Sequence, residues 1–111
     1  MDFHELARKQ LADYDRHRPG SIFANSSATM TIDQAYELQM EVARLRIARG
    51  EPLAGYKVGC ISQTMQAQLG VGQPVFGHLF ATEIHCSGVT LDSNRFDGLA
   101  IEGEFAVRLD A

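Results

Sequence analysis

Tryptophan is absent, and cysteine occurs only at Cys60 and Cys86, without the spacing of a metal-binding cluster. Two cysteines in a chain that is 45% hydrophobic exclude a disulfide scaffold, since such a chain has enough apolar residues for a core, and a reducing cytoplasm is expected. The opening Met1-Asp2-Phe3-His4-Glu5 lacks the basic start and apolar stretch of a signal peptide. No run approaches the ~20 apolar residues that span a bilayer, so no membrane partner is expected. Excess positive charge is also missing: 10 Lys and Arg stand against 14 Asp and Glu, which gives no global attraction to nucleic acid. Neither the Rossmann nor the P-loop glycine pattern is present, so NAD and ATP chemistry have no support. There is no internal repeat and no low-complexity tract.

The length of 111 residues fits one globular domain. Its charge is unevenly placed. Residues 1–57 hold eight acids and eight bases, whereas residues 58–111 hold six acids against Arg95 and Arg108. From Phe3 to Arg18, Phe3, Leu6, Ala7, Leu11 and Tyr14 recur at helical spacing, and Pro19-Gly20 should stop that helix. Residues 20–30 read as a loop. Thr31 and Gln34 form a capping box, followed by a stripe of Ile32, Ala35, Tyr36, Gln39, Val42, Ala43 and Arg46 that Leu38, Leu45 and Ile47 widen. Arg44, Arg46 and Arg49 suit the C-terminal dipole, and Gly50 supplies a left-handed cap.

After Pro52, the run Leu53 to Cys60 reads as a glycine-flanked strand, and Ser62 caps a short helix ending at Gly70. Segments near 75–80, 82–86 and 89–91 read as strands or irregular extended chain. From Ile101 to Leu109 the residues alternate: Ile101, Gly103, Phe105, Val107 and Leu109 lie on one side, and Glu102, Glu104, Ala106 and Arg108 on the other. This pattern predicts a strand with an acidic face. Helices first and strands later give an α+β class, with a helical region over residues 1–52 and a β region beginning at residue 53.

Glu102 and Glu104, two apart on one strand face, can converge on a hard cation such as Mg²⁺ or Mn²⁺. The same spacing fits a solvated strand edge. Lys57, on the apolar stretch Gly55-Tyr56-Lys57-Val58-Gly59, needs an anion or a hydrogen-bonding network if it is buried, and otherwise snorkels from an edge strand. Ser62 begins a helix whose free amides suit a carboxylate, though it also serves as a plain N-cap. His4, His17, His78 and His85 have no ligand spacing and read as structural or surface residues. Met30, Met40 and Met65, with Phe23, Phe76 and Phe80, read as core filling.

The ordered set Gly55-Tyr56-Lys57-Val58-Gly59, Ser62, Met65-Gln66, Leu69-Gly70-Val71, Gln73-Pro74, Phe76-Gly77-His78-Leu79 and Ile101-Glu102-Gly103-Glu104-Phe105-Ala106 resembles the 2-keto-4-pentenoate hydratases and 4-oxalocrotonate decarboxylases of the fumarylacetoacetate hydrolase superfamily. The resemblance runs from the Thr31 helix to the C-terminus. It implies the opening strands of a mixed β-sheet roll over residues 53–111, truncated at Ala111. It further implies Glu102 and Glu104 as ligands of Mg²⁺ or Mn²⁺, with the third ligand absent from this chain. Lys57 inherits catalytic and substrate-binding roles, and Ser62 a substrate-binding one.

The activity implied is metal-dependent hydration of a 2-hydroxypenta-2,4-dienoate-like substrate to a 4-hydroxy-2-oxo acid in aromatic-compound breakdown. The rivals are 4-oxalocrotonate decarboxylation, acylpyruvate hydrolysis, and an inactive fragment or assembly module. The partners implied are a small 2-keto acid and further copies of the chain in a homo-oligomer. Two departures from the family pattern stand out. Val75 occupies a position that is often acidic, and Gly103 a position that is often proline.

Overall fold

The computed structural model describes residues 1–24 and 29–110. Part of the loop expected over residues 20–30 therefore lies outside the described residues, as does Ala111. Helix α1 covers Phe3–Asp15, α2 Ile32–Ala48 and α3 Gln63–Leu69; strand β1 covers Leu53–Gly59 and β2 Val75–Phe80. Two short 3-10 turns follow at Ala81–Glu83 and Ser93–Arg95. The architecture is α+β, as the order of patterns implied. Its sheet is a two-stranded antiparallel ladder, and the described residues do not form the wider roll.

Caps place the helix ends. The Asp2 carboxylate accepts from the Glu5 amide to start α1. At α2 both halves of the predicted capping box form: Thr31 Oγ1 accepts from the Gln34 amide at 3.2 Å and Gln34 accepts from the Thr31 amide at 3.0 Å. Gly50 follows at φ 93, the left-handed geometry that glycine adopts without steric cost. Helix α1 ends three residues before the expected point. His17 turns left-handed at φ 53, and its amide bonds the Tyr14 carbonyl before Pro19 is reached.

Strands β1 and β2 pair Tyr56 with His78, Lys57 with Gly77 and Val58 with Phe76, and an irregularity between Leu53 and Gly55 twists the start of the ladder. The outer edge of β2 is covered by α2. The Phe76 amide donates to the Tyr36 hydroxyl at 3.3 Å, Gln39 donates to the Phe76 carbonyl at 3.0 Å, and the Tyr36 and Phe76 rings stack at 4.8 Å. Helix side chains thereby satisfy backbone groups that an edge strand would otherwise leave open.

The core is small, formed by Ala7, Leu11, Leu38, Ala43 and Phe80. At its margin sits a buried charge. Arg46 donates to Glu51 at 2.9 and 3.1 Å and to Glu83 at 2.9 Å, and its guanidinium lies 3.8 Å from the centroid of the Phe80 ring and 4.8 Å from that of Tyr14. Arg46 thus joins α1, α2 and the end of β2, a larger role than the dipole interaction its position suggested.

Residues 101–110 depart from expectation. No strand forms there, although the alternation is intact, because no neighbouring strand supplies ladder hydrogen bonds. Residues 82–86 and 89–91 likewise form no strand. Among the described residues, no helix is long and apolar enough to cross a membrane.

Candidate functional site

The ladder register determines what surrounds Lys57. Gly77 is its partner across the sheet, and Gly55 and Gly59, two residues either side, share its face. A Cβ placed at Gly55 or Gly77 would meet no atom within 4 Å. The lysine therefore stands among three glycines on a face whose nearest cross-strand side chains are Leu79 and Val75, opposite Gly55 and Gly59, while the other face carries the aromatic cluster of Tyr56, Phe76 and His78. That opposition explains why a charged residue is tolerated in so apolar a strand.

The anion that Lys57 requires comes from the C-terminal segment. Lys57 Nζ donates to Glu104 at 2.6 Å across 47 residues of sequence. The Glu104 carboxylate holds the Lys57 ammonium above the ordinary lysine range, and the charge of Glu102 acts in the same direction. Lys57 is consequently a cation at neutral pH, suited to meeting negative charge or giving a proton and unsuited to acting as a base. Both partners are about half exposed, so the contact positions the groups more than it stabilises the fold.

Ser62 lies just beyond the strand. Its Oγ accepts from the Met65 amide at 3.2 Å, making it the N-cap of α3. Among the described residues no hydrogen bond links it to Lys57, Glu102 or Glu104. The connection from β1 to α3 passes through Cys60, whose φ of 55 is unusual for a residue with a side chain. The Gln66 side-chain Nε2 donates to the Cys60 carbonyl at 2.8 Å and fixes that turn. Sequence gave no signal for this left-handed cysteine. Gly55 and Gly59 imply close backbone approach when read from sequence, yet a Cβ at Gly55 would meet nothing within 4 Å and one at Gly59 only Val75 at 3.9 Å, and the part played by Gly77 required the register.

Two carboxylates with hard oxygen donors suit Mg²⁺ or Ca²⁺ in kind, but they make an incomplete set. No group of three His, Cys, Asp or Glu side chains is placed to hold a metal ion among the described residues. A cleft of about 560 Å³ lies elsewhere, between the end of α1 and the 81–100 segment, and includes Tyr14, Arg18, Glu83, His85 and Arg95. It contains none of the motif residues. The charged cluster on the glycine patch is the stronger candidate on chemical grounds, because it gathers groups that sequence keeps far apart.

No family model matches the chain. Individual relatives do. It is 38% identical over 77 residues to a 2-oxo-hept-4-ene-1,7-dioate hydratase of Escherichia coli, covering 69% of this chain and 29% of that protein. It is 40% identical over 76 residues to a 2-keto-4-pentenoate hydratase of Paraburkholderia phymatum, covering 68% and 29%. A 4-oxalocrotonate decarboxylase of Pseudomonas putida is 32% identical over 102 residues, covering 92% and 37%. The fold agrees: the chain matches solved 4-oxalocrotonate decarboxylase from Pseudomonas putida G7, complexed with calcium and acetate, at a TM-score of 0.64 and 32% identity, over 72% of this chain and 31% of that one. A second structure of that enzyme is complexed with magnesium and adipate. The chain is therefore homologous to part of the 2-keto-4-pentenoate hydratase and 4-oxalocrotonate decarboxylase family, and spans about a third of the length of these relatives.

Proposed function

From this kinship we propose that the chain carries the lysine and two of the metal ligands of a hydratase. Its reaction is addition of water to a 2-hydroxypenta-2,4-dienoate-like substrate, giving a 4-hydroxy-2-oxo acid in the breakdown of aromatic compounds. The observation that carries this reading is the 2.6 Å contact of Lys57 with Glu104 on an open glycine patch.

Glu102 and Glu104 would hold the cation. When bound, the cation supplies Lewis-acid polarisation of a 2-keto acid. Lys57 meets the negative charge that builds on the substrate's 2-oxygen and can return a proton to the carbon skeleton. The open space at Gly55 and Gly77 leaves room for a flat, conjugated acid beside the ammonium. Ser62 contributes through the chain turn that ends the lysine strand, where it would border the substrate carboxylate.

The decarboxylase relatives support a second reading, in which Lys57 on the same patch meets the charge left when CO₂ departs. Substrate assays separate the two. Dienoate consumption followed by ultraviolet absorbance supports hydration, and turnover of oxalocrotonate alone rejects it. These assays belong on a protein of the relatives' full length. For the 111-residue chain, titration with Mg²⁺ in the presence and absence of a 2-keto acid tests the site directly. Weak binding, lost in both Glu102→Gln and Glu104→Gln, is expected, because two carboxylates leave most of the coordination sphere to water. Binding unaffected by both substitutions would reject the assignment.

A further inference from the structure

The β1–β2 ladder changes register by one residue along its length. At its start Leu53 pairs with Phe80, whereas from Gly55 onward the partners are Leu79, His78, Gly77, Phe76 and Val75, so Ala54 is an extra residue in a bulge. The start is fixed by its own contacts. The Pro52 carbonyl accepts from the Ala81 amide at 2.9 Å, and Arg46 holds Glu51 just before β1 and Glu83 just after β2. Strand β2 is fixed as well, because Tyr36 and Gln39 of α2 bond both backbone groups of Phe76. The path of β1 is what remains to be chosen.

A regular ladder running on from Leu53 and Phe80 would set Lys57 opposite Phe76 and Tyr56 opposite Gly77. Directly opposed residues share a face, so the ammonium would then lie on the aromatic side and the Tyr56 ring on the glycine side. The extra residue reverses both. Tyr56 pairs with His78, and its ring lies 5.4 Å from that of His78 and 6.0 Å from that of Phe76, which stacks on Tyr36 at 4.8 Å. Lys57 thereby faces Gly77 and reaches Glu104.

A strand that contains Gly55 and Gly59 specifies its register weakly through its other side chains. Val58 does little to decide, since it meets Phe76 in one register and Val75 in the other. Tyr56 gains its aromatic neighbours only in the bulged register. We propose that Tyr56 is the positioning residue of Lys57: its ring, beside Phe76 and His78, selects the bulged register and so turns the ammonium onto the glycine face. Bulges elsewhere re-aim side chains next to active sites in this way. That Lys57 is a reacting group rests on the function proposed above, whereas the choice of register does not.

NMR of the 111-residue chain, without metal or substrate, reads the register from cross-strand backbone contacts. Wild type and Tyr56→Phe should show residue 57 beside residue 77 and residue 56 beside residue 78. In the exchange variant Tyr56→Lys/Lys57→Tyr the side chains favour the regular ladder, and the contacts should move to 57 beside 76 and 56 beside 77. The single variant Tyr56→Lys keeps the test decisive should the exchange fail to fold. Each register then places one ammonium on the aromatic side, so the regular ladder should appear. Deleting Ala54 from that variant should restore 57 beside 77, because the Leu53–Phe80 start then leads into that pairing without a bulge. A general loss of packing would not be repaired by a deletion. Contacts of 57 with 77 alone in both Tyr56→Lys and the exchange variant would overturn the proposal, as would failure of the Ala54 deletion to restore them. A register that shifts as described, in a protein that binds no Mg²⁺, would uphold the role of Tyr56 in the ladder and remove the chemistry instead.

Discussion

Replacing Arg46 with alanine should cost more than any other single change to a charged residue in this chain. Its side chain is 8% exposed, with Glu51 at 17% and Glu83 at 34%, so the cluster is only partly open to water. Removing one partner of a fully buried pair costs ~3–5 kcal/mol because the other charge is stranded. Here the stranding is milder: Glu51 retains Arg49 at 2.6 Å and Glu83 retains the Tyr14 hydroxyl at 2.5 Å. Loss of the stacking on Phe80 and Tyr14 adds ~0.5–2 kcal/mol. A net loss of about 2–4 kcal/mol follows. Against the ~5 kcal/mol at the low end for small domains, that removes most of the stability.

Urea denaturation followed by circular dichroism reads this directly. With a slope of ~1–1.5 kcal/mol per molar urea, the midpoint should fall by roughly 2 M. Arg46→Lys should fall between, because an ammonium keeps the charge and loses the planar fork and the stacking. The pH dependence supplies a second signature. Arg46, with Arg49, holds the Glu51 carboxyl down at about 2, against an ordinary 4.5. A carboxyl depressed by folding contributes stability that is present above its unfolded value and is lost as pH falls from about 4.5 toward 2, at most about 3 kcal/mol. In Arg46→Ala that acid-side loss should shrink. A midpoint shift equivalent to less than ~0.5 kcal/mol, the range of ordinary surface changes, would refute the view of Arg46 as the tie between α1, α2 and β2.

Two further outcomes concern local structure. Thr31→Ala removes the hydroxyl that accepts from the Gln34 amide and should cost ~1 kcal/mol in the same urea experiment, whereas Thr31→Ser should be near neutral. Cys60→Val forces a β-branched side chain into a left-handed position and should cost ~1–2 kcal/mol, while Cys60→Gly should hold or raise the midpoint, and equal effects of the two would deny strain at that turn.

How far the sequence discloses this fold depends on whether the cause is local. The Thr31 capping box, the Gly50 and Gly70 left-handed positions and the Ser62 cap are decided within a few residues, and each appears where its signal lies. Arg46 shows where local reasoning stops. It occupies an apolar helical stripe, a position that implies burial, but its partner Glu83 lies 37 residues away and only packing brings it there. Residues 101–109 show the converse. The period-two alternation is correct as a pattern, but a strand is a property of two segments, and pattern alone does not supply the second.

The same distinction bears on the site. Glu102 and Glu104 by themselves fitted a solvated edge as well as a metal centre, and the contact with Lys57 adds a constraint that spacing does not contain. If Lys57 neutralises Glu104, then lysine and a divalent cation oppose one another at that carboxylate, and deleting the ammonium should strengthen metal binding. A unit charge some 4–5 Å away, in a mostly aqueous setting, is worth about 1 kcal/mol, which converts to roughly fivefold in affinity. Lys57→Met should therefore bind Mg²⁺ about fivefold more tightly than the wild-type chain, and Lys57→Arg, which keeps the charge, should not. Raised ionic strength should narrow the difference, because both groups are open to solvent. Equal Mg²⁺ affinity in Lys57→Met and wild type at low salt would show that the ammonium and the carboxylates do not share one site, and the functional reading would lose its central observation.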